Sequence, residues 1–351
     1  MAEYGELRHI LTTVFLSGFA EFLLRPVMTD VTVAAVCSGL NSTCSLAVYL
    51  TGIEQVTVGL GTMVMMPVIG NFADRYGIKA LLTVPMCLSI LPPAILGYRR
   101  DTNFFYAFYI TKILFDMVCQ GTVDCLAHAY VAKNVHVRKR ISTFGVLAGV
   151  RSISAVCATF STRFLPIAST FQYFLKARFG FNKNDFAELI LLITIIGSIS
   201  QLFILPILVS SIGERRVLST GLLMETFNAA CLSVSWSAWV PYATTVLVPV
   251  AMFVMPSVCG IASRQVGAGE QGKVQGYISG VKSFSGVVAP LIYSPLTALF
   301  LSENAPFYFP GFSILCVALS LLIGFLMSLL IKDVPSTSMN KASITIEKEE
   351  A

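Results

Sequence analysis

The sequence predicts an all-α protein that crosses a membrane many times, and three observations carry that prediction. Hydrophobic residues make up 55% of the chain and charged residues only 12%, with a mean hydropathy of +0.77, whereas a soluble globule carries about 25% charge. Apolar runs of roughly spanning length, about 20 residues, recur from one end of the chain to the other. Finally, lysine and arginine gather in alternate short loops, most strongly in KNVHVRKR at 133–140, the pattern of loops kept on the cytoplasmic side. The net charge of +5 is spread over these loops, with no basic tract of the kind that binds nucleic acid.

Taken in order, the first span covers 11–35 and is the most polar, interrupted by Glu21, Arg25, Pro26 and Asp30. Its length, its charges and the spans that follow read as a retained helix rather than a cleaved leader. A short loop then carries Cys37, Cys44 and the sequon Asn41-Ser42-Thr43, which suits the oxidising, extracytosolic side. The spacing leaves both a small Cys37–Cys44 disulfide loop and two free thiols open. The second span, 46–70, holds Glu54 and the small residues Gly52, Gly59 and Gly61, which suit close helix packing. The third, 80–98, contains Pro85, Pro92 and Pro93, so a kink is expected. The fourth covers 104–132 and the fifth 143–164, with Arg151 inside it.

Between 163 and 185 the pattern breaks, because LKARFGFNKND is too short and too charged to hold a span. Spans resume at 189–211, 217–237, 240–263, 274–301 and 309–331, and 333–351 is read as a disordered cytoplasmic tail. The expected organisation is therefore an amino-terminal bundle at 1–165, a shortened junction at 166–185 and a carboxyl-terminal bundle at 186–332. About ten spans are counted at this length per span, with both termini cytoplasmic.

Ionisable residues inside spans are the best physical guide to a pathway, since each costs about 2.5–3.5 kcal/mol on insertion scales and is turned toward protein or water. Glu21 and Arg25, Lys112 and Asp116, and Asp124 and His128 are each four apart, so each pair shares a helix face and can partly neutralise itself. Such neutralisation is also what insertion alone requires, and Asp124 and His128 lie near an interface. Glu54, Arg151, Glu188, Glu225 and Lys282 are isolated in their spans, and Arg151 and Lys282 either snorkel or find partners on other helices. Glu21, Arg25, Glu54, Lys112 and Asp116 are the candidate pathway residues. Glu21, Glu54 and Asp116 are the candidate proton carriers, because a buried carboxylate can load and release a proton near neutral pH.

Enzymatic chemistry finds little purchase. Cys119 and Cys125 lack CxxC spacing and His9, His128 and His136 form no metal cluster. No phosphate-cradling loop occurs. Neither a cofactor nor a metal is expected.

One polar island, PVIGNFADRYGIKALL at 67–82, lies close between two spans. Gly70, Ala73, Asp74, Arg75, Gly77, Lys79 and Leu82 match motif A of the major facilitator superfamily, G-x-L-a-D-r-x-G-r-k-x-x-l, with Phe72 and Ile78 departing from it. SSIGERRVLST at 210–220 is a degenerate echo of this turn, as expected of a repeated architecture. Further stretches, among them MAEYGELRHILTTVFLSGFA, YLTGIEQ, AYVAKNVHVRKR and GEQGKVQGYISGVKSFSGVVAPLIYSPLTALFL, resemble the tetracycline-resistance branch and within it the hippocampus-abundant-transcript-like proteins, plant members in particular.

The resemblance implies a two-bundle secondary transporter of a small solute, with Gly70, Asp74, Arg75, Gly77 and Lys79 forming a gate turn. It implies that the first and fourth helices line a central cavity and that Lys112 lies near the motif B arginine. Asp116 stands where the family has a glycine, and the family's antiporter motif C is missing from VRSISAVCATFSTRF. Since the family has about twelve helices, the simplest account of the junction is that the sixth helix, the central link and most of the seventh are absent. A transporter of a small solute in a lipid bilayer is therefore expected, with coupling to protons resting on the carboxylates Glu21, Glu54 and Asp116 and not on the resemblance. The alternative is a shortened, non-transporting form that associates with a full-length relative.

Overall fold

In the computed structural model, residues 2–36, 45–98, 101–161, 175, 179, 183–301, 306–307 and 309–331 are described, and among them every regular element is a helix. The helices are α1 (Ala2–Val36), α2 (Ser45–Tyr76), α3 (Ile78–Leu88), α4 (Leu91–Tyr98), α5 (Thr102–Cys119), α6 (Thr122–Asn134), α7 (Arg140–Ser161), α8 (Lys183–Ile199), α9 (Leu205–Ile212), α10 (Glu214–Ser233), α11 (Val240–Thr244), α12 (Val248–Ala251), α13 (Val254–Arg264), α14 (Gln271–Leu301) and α15 (Phe312–Leu329). Five stretches among the described residues are long and apolar enough to cross a membrane by length and composition: Leu50–Tyr76, Ile78–Tyr98, Arg140–Ala158, Glu188–Ile212 and Phe312–Leu329. The junction at 166–185 and the tail at 333–351 fall almost wholly outside the described residues. Leu175 and Phe179 are described and pack against Leu189 and its neighbours.

Several expected spans are broken rods, and the breaks have local causes. Ser89 and Ile90 form a turn between α3 and α4, just ahead of Pro92 and Pro93, where helical hydrogen bonds are lost. The fourth span, read from the sequence as one helix over 104–132, instead divides at Gln120 and Gly121. Gly121 takes φ 76 and ψ −5, a left-handed conformation that glycine alone adopts at no steric cost. Between α8 and α9 the segment Ser200–Ile204 winds as a π-turn, with the Leu205 N–H reaching back to the Ser200 carbonyl. Pro206 has no N–H to return to Leu202, and the wider turn absorbs that loss.

Two turns join helices end to end with a single residue. Gly77 at φ 90, ψ 143 links α2 to α3, and Gly213 at φ 84, ψ 160 links α9 to α10. The degenerate echo in the sequence is thus the same backbone turn built twice.

The two halves of the chain meet along two seams. On one, Gly272, Gly276 and Gly280 of α14 lie against Gly70, Met66 and Met63 of α2, so close that a Cβ at Gly276 would sit 2.5 Å from the Met66 carbonyl oxygen. On the other, Gly145 and Gly149 of α7 receive Leu205 of α9 and Leu202 of the π-turn. In lipid, where burial of apolar surface does not drive helices together, such small-residue stripes allow the van der Waals contact that does. The largest buried cluster fills the space between α1, α2, α6 and α7, with Phe144, Leu126, Met66 and Val14 at its centre and Cys259 of α13 joining it from the other half.

Candidate functional site

The polar turn at 70–79 is held by an anion at a helix end. Asp74, near the end of α2, accepts hydrogen bonds from the backbone N–H groups of Gly272 and Lys273, both at 2.9 Å. These belong to the first turn of α14, where N–H groups lack helical partners and the helix dipole favours negative charge. The absence of side chains at Gly70 and Gly272 lets the carboxylate reach that backbone. Arg75 and Lys79 stand exposed at the same end of the molecule. The second seam is tied there too, by Arg140 of α7 donating to the Ser263 carbonyl at 3.1 Å and hydroxyl at 2.9 Å. The molecule is therefore closed between its halves at the motif A end.

Deeper in, two cations are each gripped by two carboxylates. Lys112 of α5 pairs with Glu54 of α2 and, at 2.8 Å, with Asp116 one turn along its own helix. All three side chains are about one-quarter exposed, at 21% for Lys112, 26% for Glu54 and 27% for Asp116. Arg151 of α7 pairs with Glu21 of α1 and, at 3.1 Å, with Asp124 of α6. Its guanidinium also stands over the Phe22 ring, 5.5 Å from the centroid. Each trio joins three or two helices at a depth where an unpaired charge is costly, and each carries one carboxylate more than its cation neutralises.

The Lys112–Asp116 pair is the one expected from helical spacing, and the other contacts correct that expectation. Glu54 and Arg151, read as isolated in their spans, each meet an opposite charge on another helix. Asp124 turns its carboxylate to Arg151, while His128 Nδ1 lies 2.6 Å from the Asp124 backbone oxygen. An arginine can satisfy two carboxylates at once through its fork of donors, which a histidine one turn away does not match. The Arg25 side chain and both Cys37 and Cys44 lie outside the described residues. Cys119 and Cys125 are free thiols. Among the described residues no group of His, Cys, Asp and Glu is placed to hold a metal ion.

Two further polar residues line the seam without having stood out in the sequence. Gln201, in the π-turn, accepts from Ser152 of α7 at 3.2 Å and donates to the Met252 carbonyl at 3.3 Å. Gln275 of α14 donates to the Cys259 carbonyl at 3.3 Å. A lone glutamine in an apolar run was the available signal for Gln201, because a buried amide needs partners.

No family model matches the chain. Among curated proteins it is similar to the human hippocampus abundant transcript 1 protein, 26% identical over 212 residues, covering 54% of this chain and 43% of that protein. It is similar to the bovine hippocampus abundant transcript-like protein 1, 26% identical over 152 residues, covering 42% of this chain and 30% of that protein. The Escherichia coli class B tetracycline resistance protein is 22% identical over 127 residues, covering 36% of this chain and 32% of that protein. The matched regions thus span less than half the length of each of these relatives.

In fold, the human organic anion transporter MFSD10 (TETRAN) superposes with a TM-score of 0.71 at 13% identity, over 92% of this chain and 100% of the other. A bacterial homologue of the iron transporter ferroportin superposes with a TM-score of 0.61 at 12% identity, over 92% and 98% of the two chains. The chain thus shares its fold with these two transporters, is similar in sequence to hippocampus-abundant-transcript and tetracycline-resistance proteins, and with its apolar spanning helices is an integral membrane protein.

Proposed function

We propose that the chain is a secondary transporter of a small solute, coupled to protons and working by alternating access between its two halves. The observation that carries this reading is the pair of membrane-embedded trios, Glu54–Lys112–Asp116 and Glu21–Arg151–Asp124. In each, two carboxylates share one cation, which leaves one negative charge over for a coupling proton to balance. The names of the fold relatives, an organic anion transporter and a ferroportin homologue, and of the tetracycline-resistance relatives, support transport as the class.

In this reading Gly70, Asp74, Arg75, Gly77 and Lys79 form the gate at one membrane face, latched by Asp74 on α14. That face is cytoplasmic, with both termini on the same side. The bases Arg75, Lys79, Lys133, Arg140, Arg215, Arg216, Arg264 and Lys273 gather there by the positive-inside rule. The closed motif A end then corresponds to a state whose solute site opens away from the cytoplasm.

The test is uptake into proteoliposomes under an imposed pH gradient. Uptake should rise with the gradient, and Glu21→Gln or Asp116→Gln variants should lose the gradient dependence while still exchanging solute. Gradient-independent uptake by the unaltered protein would remove proton coupling; no solute movement under any gradient would remove transport.

A further inference from the structure

Lys282 differs from the other cations inside the spans. It lies eleven positions into α14, about 16 Å from the start of that helix at 1.5 Å per residue, too deep for its side chain to snorkel to the nearer face. It is exposed, and among the described residues no carboxylate lies within ion-pair distance of it, whereas Lys112 and Arg151 each hold two.

Helical spacing shows where it points. Gly272, Gly276 and Gly280 form the stripe of α14 that meets α2. Gln275, Ser279, Lys282 and Gly286, spaced four, three and four, form the adjoining stripe. Gln275 on that stripe is 1% exposed and bonded to the Cys259 carbonyl of α13, and Ser279 lies beside Cys125 of α6. One and two turns further from the motif A end, the same stripe emerges into open space: Lys282 is exposed, and a Cβ at Gly286 would meet nothing within 4 Å. The ammonium lies near enough to His128 of α6 and Cys259 of α13, one from each half, to act on both electrostatically.

We propose that Lys282 is the anchor for the negatively charged group of an anionic solute bound between the two halves. A cation with no carboxylate in ion-pair distance among the described residues needs a counter-ion, and the described Lys112 and Arg151 are already taken up by their own carboxylates. This deepens the transport reading above and rests on it for the solute's movement, but its binding step stands alone.

The test begins with binding to the full chain in neutral-lipid nanodiscs, with empty discs as the control. The probes are fluorescein, p-aminobenzoate and naphthyl phosphate as anions, and tetraphenylphosphonium as a cation. At least one anion should bind, Lys282→Gln should weaken it about tenfold or more, and Lys282→Arg should restore it. A thermal melt of each variant confirms folding. Binding of the anion undiminished in K282Q, preference for tetraphenylphosphonium, or no anion binding by the unaltered protein would overturn the proposal. Uptake into proteoliposomes then separates the two readings. Movement of the cation but not the anions sinks the anchor and leaves transport standing. Lys282-dependent binding without movement keeps the anchor and sinks transport.

Discussion

Gly77 and Gly213 hold nearly the same backbone, φ 90 and ψ 143 against φ 84 and ψ 160, yet the turns they make are anchored differently. Three residues before Gly77 stands Asp74, whose carboxylate crosses to the other half and accepts two N–H bonds at the start of α14. Three residues before Gly213 stands Ser210, whose hydroxyl only returns to the Ile207 carbonyl at 2.8 Å. The acid at the second turn is Glu214, one residue past the glycine, and it pairs with Arg264 inside its own half. The contrast teaches that the turn belongs to the repeated architecture, while the crossing contact at the first turn is written by one carboxylate. The seam at α2 and α14 is held by packing and by Asp74, and the seam at α7 by packing and by Arg140.

This asymmetry can be broken in stages. The largest effect is expected from Gly276→Leu, which drives a side chain into the Met66 backbone, where neither partner can yield. Uptake should fall more than about tenfold, and thiol reagents should reach the native Cys259, which is 3% exposed where the halves meet. Asp74→Asn comes next. It removes the charge from two hydrogen bonds, a class worth about 1.5–3 kcal/mol, so labelling of Cys259 should rise about tenfold without loss of folded protein.

Smaller still, Gly77→Ala and Gly213→Ala should each lower thermal stability by about 1–2 kcal/mol, because both put a Cβ at positive φ. Equal losses would show that the two turns are structurally equivalent; a larger loss at Gly77 would mean that the latch draws on the geometry of its turn. The smallest change in uptake, under about threefold, is expected of Glu214→Gln, since Glu214 reaches the other half through Arg264, which keeps its own hydrogen bond to the Val137 carbonyl at 3.4 Å. An effect of Glu214→Gln as large as that of Asp74→Asn would erase the distinction between the turns.

The sequence made the helical class and the Gly77 turn legible, because apolar runs and paired glycines are local signals. The partners of Arg151 were not legible. Helical spacing sees residues four apart on one helix, whereas Glu21, Asp124 and Arg151 come from three helices that only tertiary packing brings together. The break at Gln120 and Gly121 was missed for a related reason. Apolar character runs on through α5 and α6, and one glycine weakens a helix without announcing that it has ended. The crossing role of Asp74 was the exception, since the motif itself placed an acid where a helix end could receive it.

The glycine stripe of α14 has a mechanical consequence. Most helix pairs mesh side chains like gear teeth, and to part they must first lift every knob from its hole. Where Gly272, Gly276 and Gly280 face α2, one rod is smooth and rests on the carbonyl groups of the other. A toothless contact of this kind parts without repacking a side chain of its own, so the effort of separating the halves concentrates in the polar catches at its end. A rod pair built in this way behaves as a plain bearing closed by a clasp, and the clasp is Asp74.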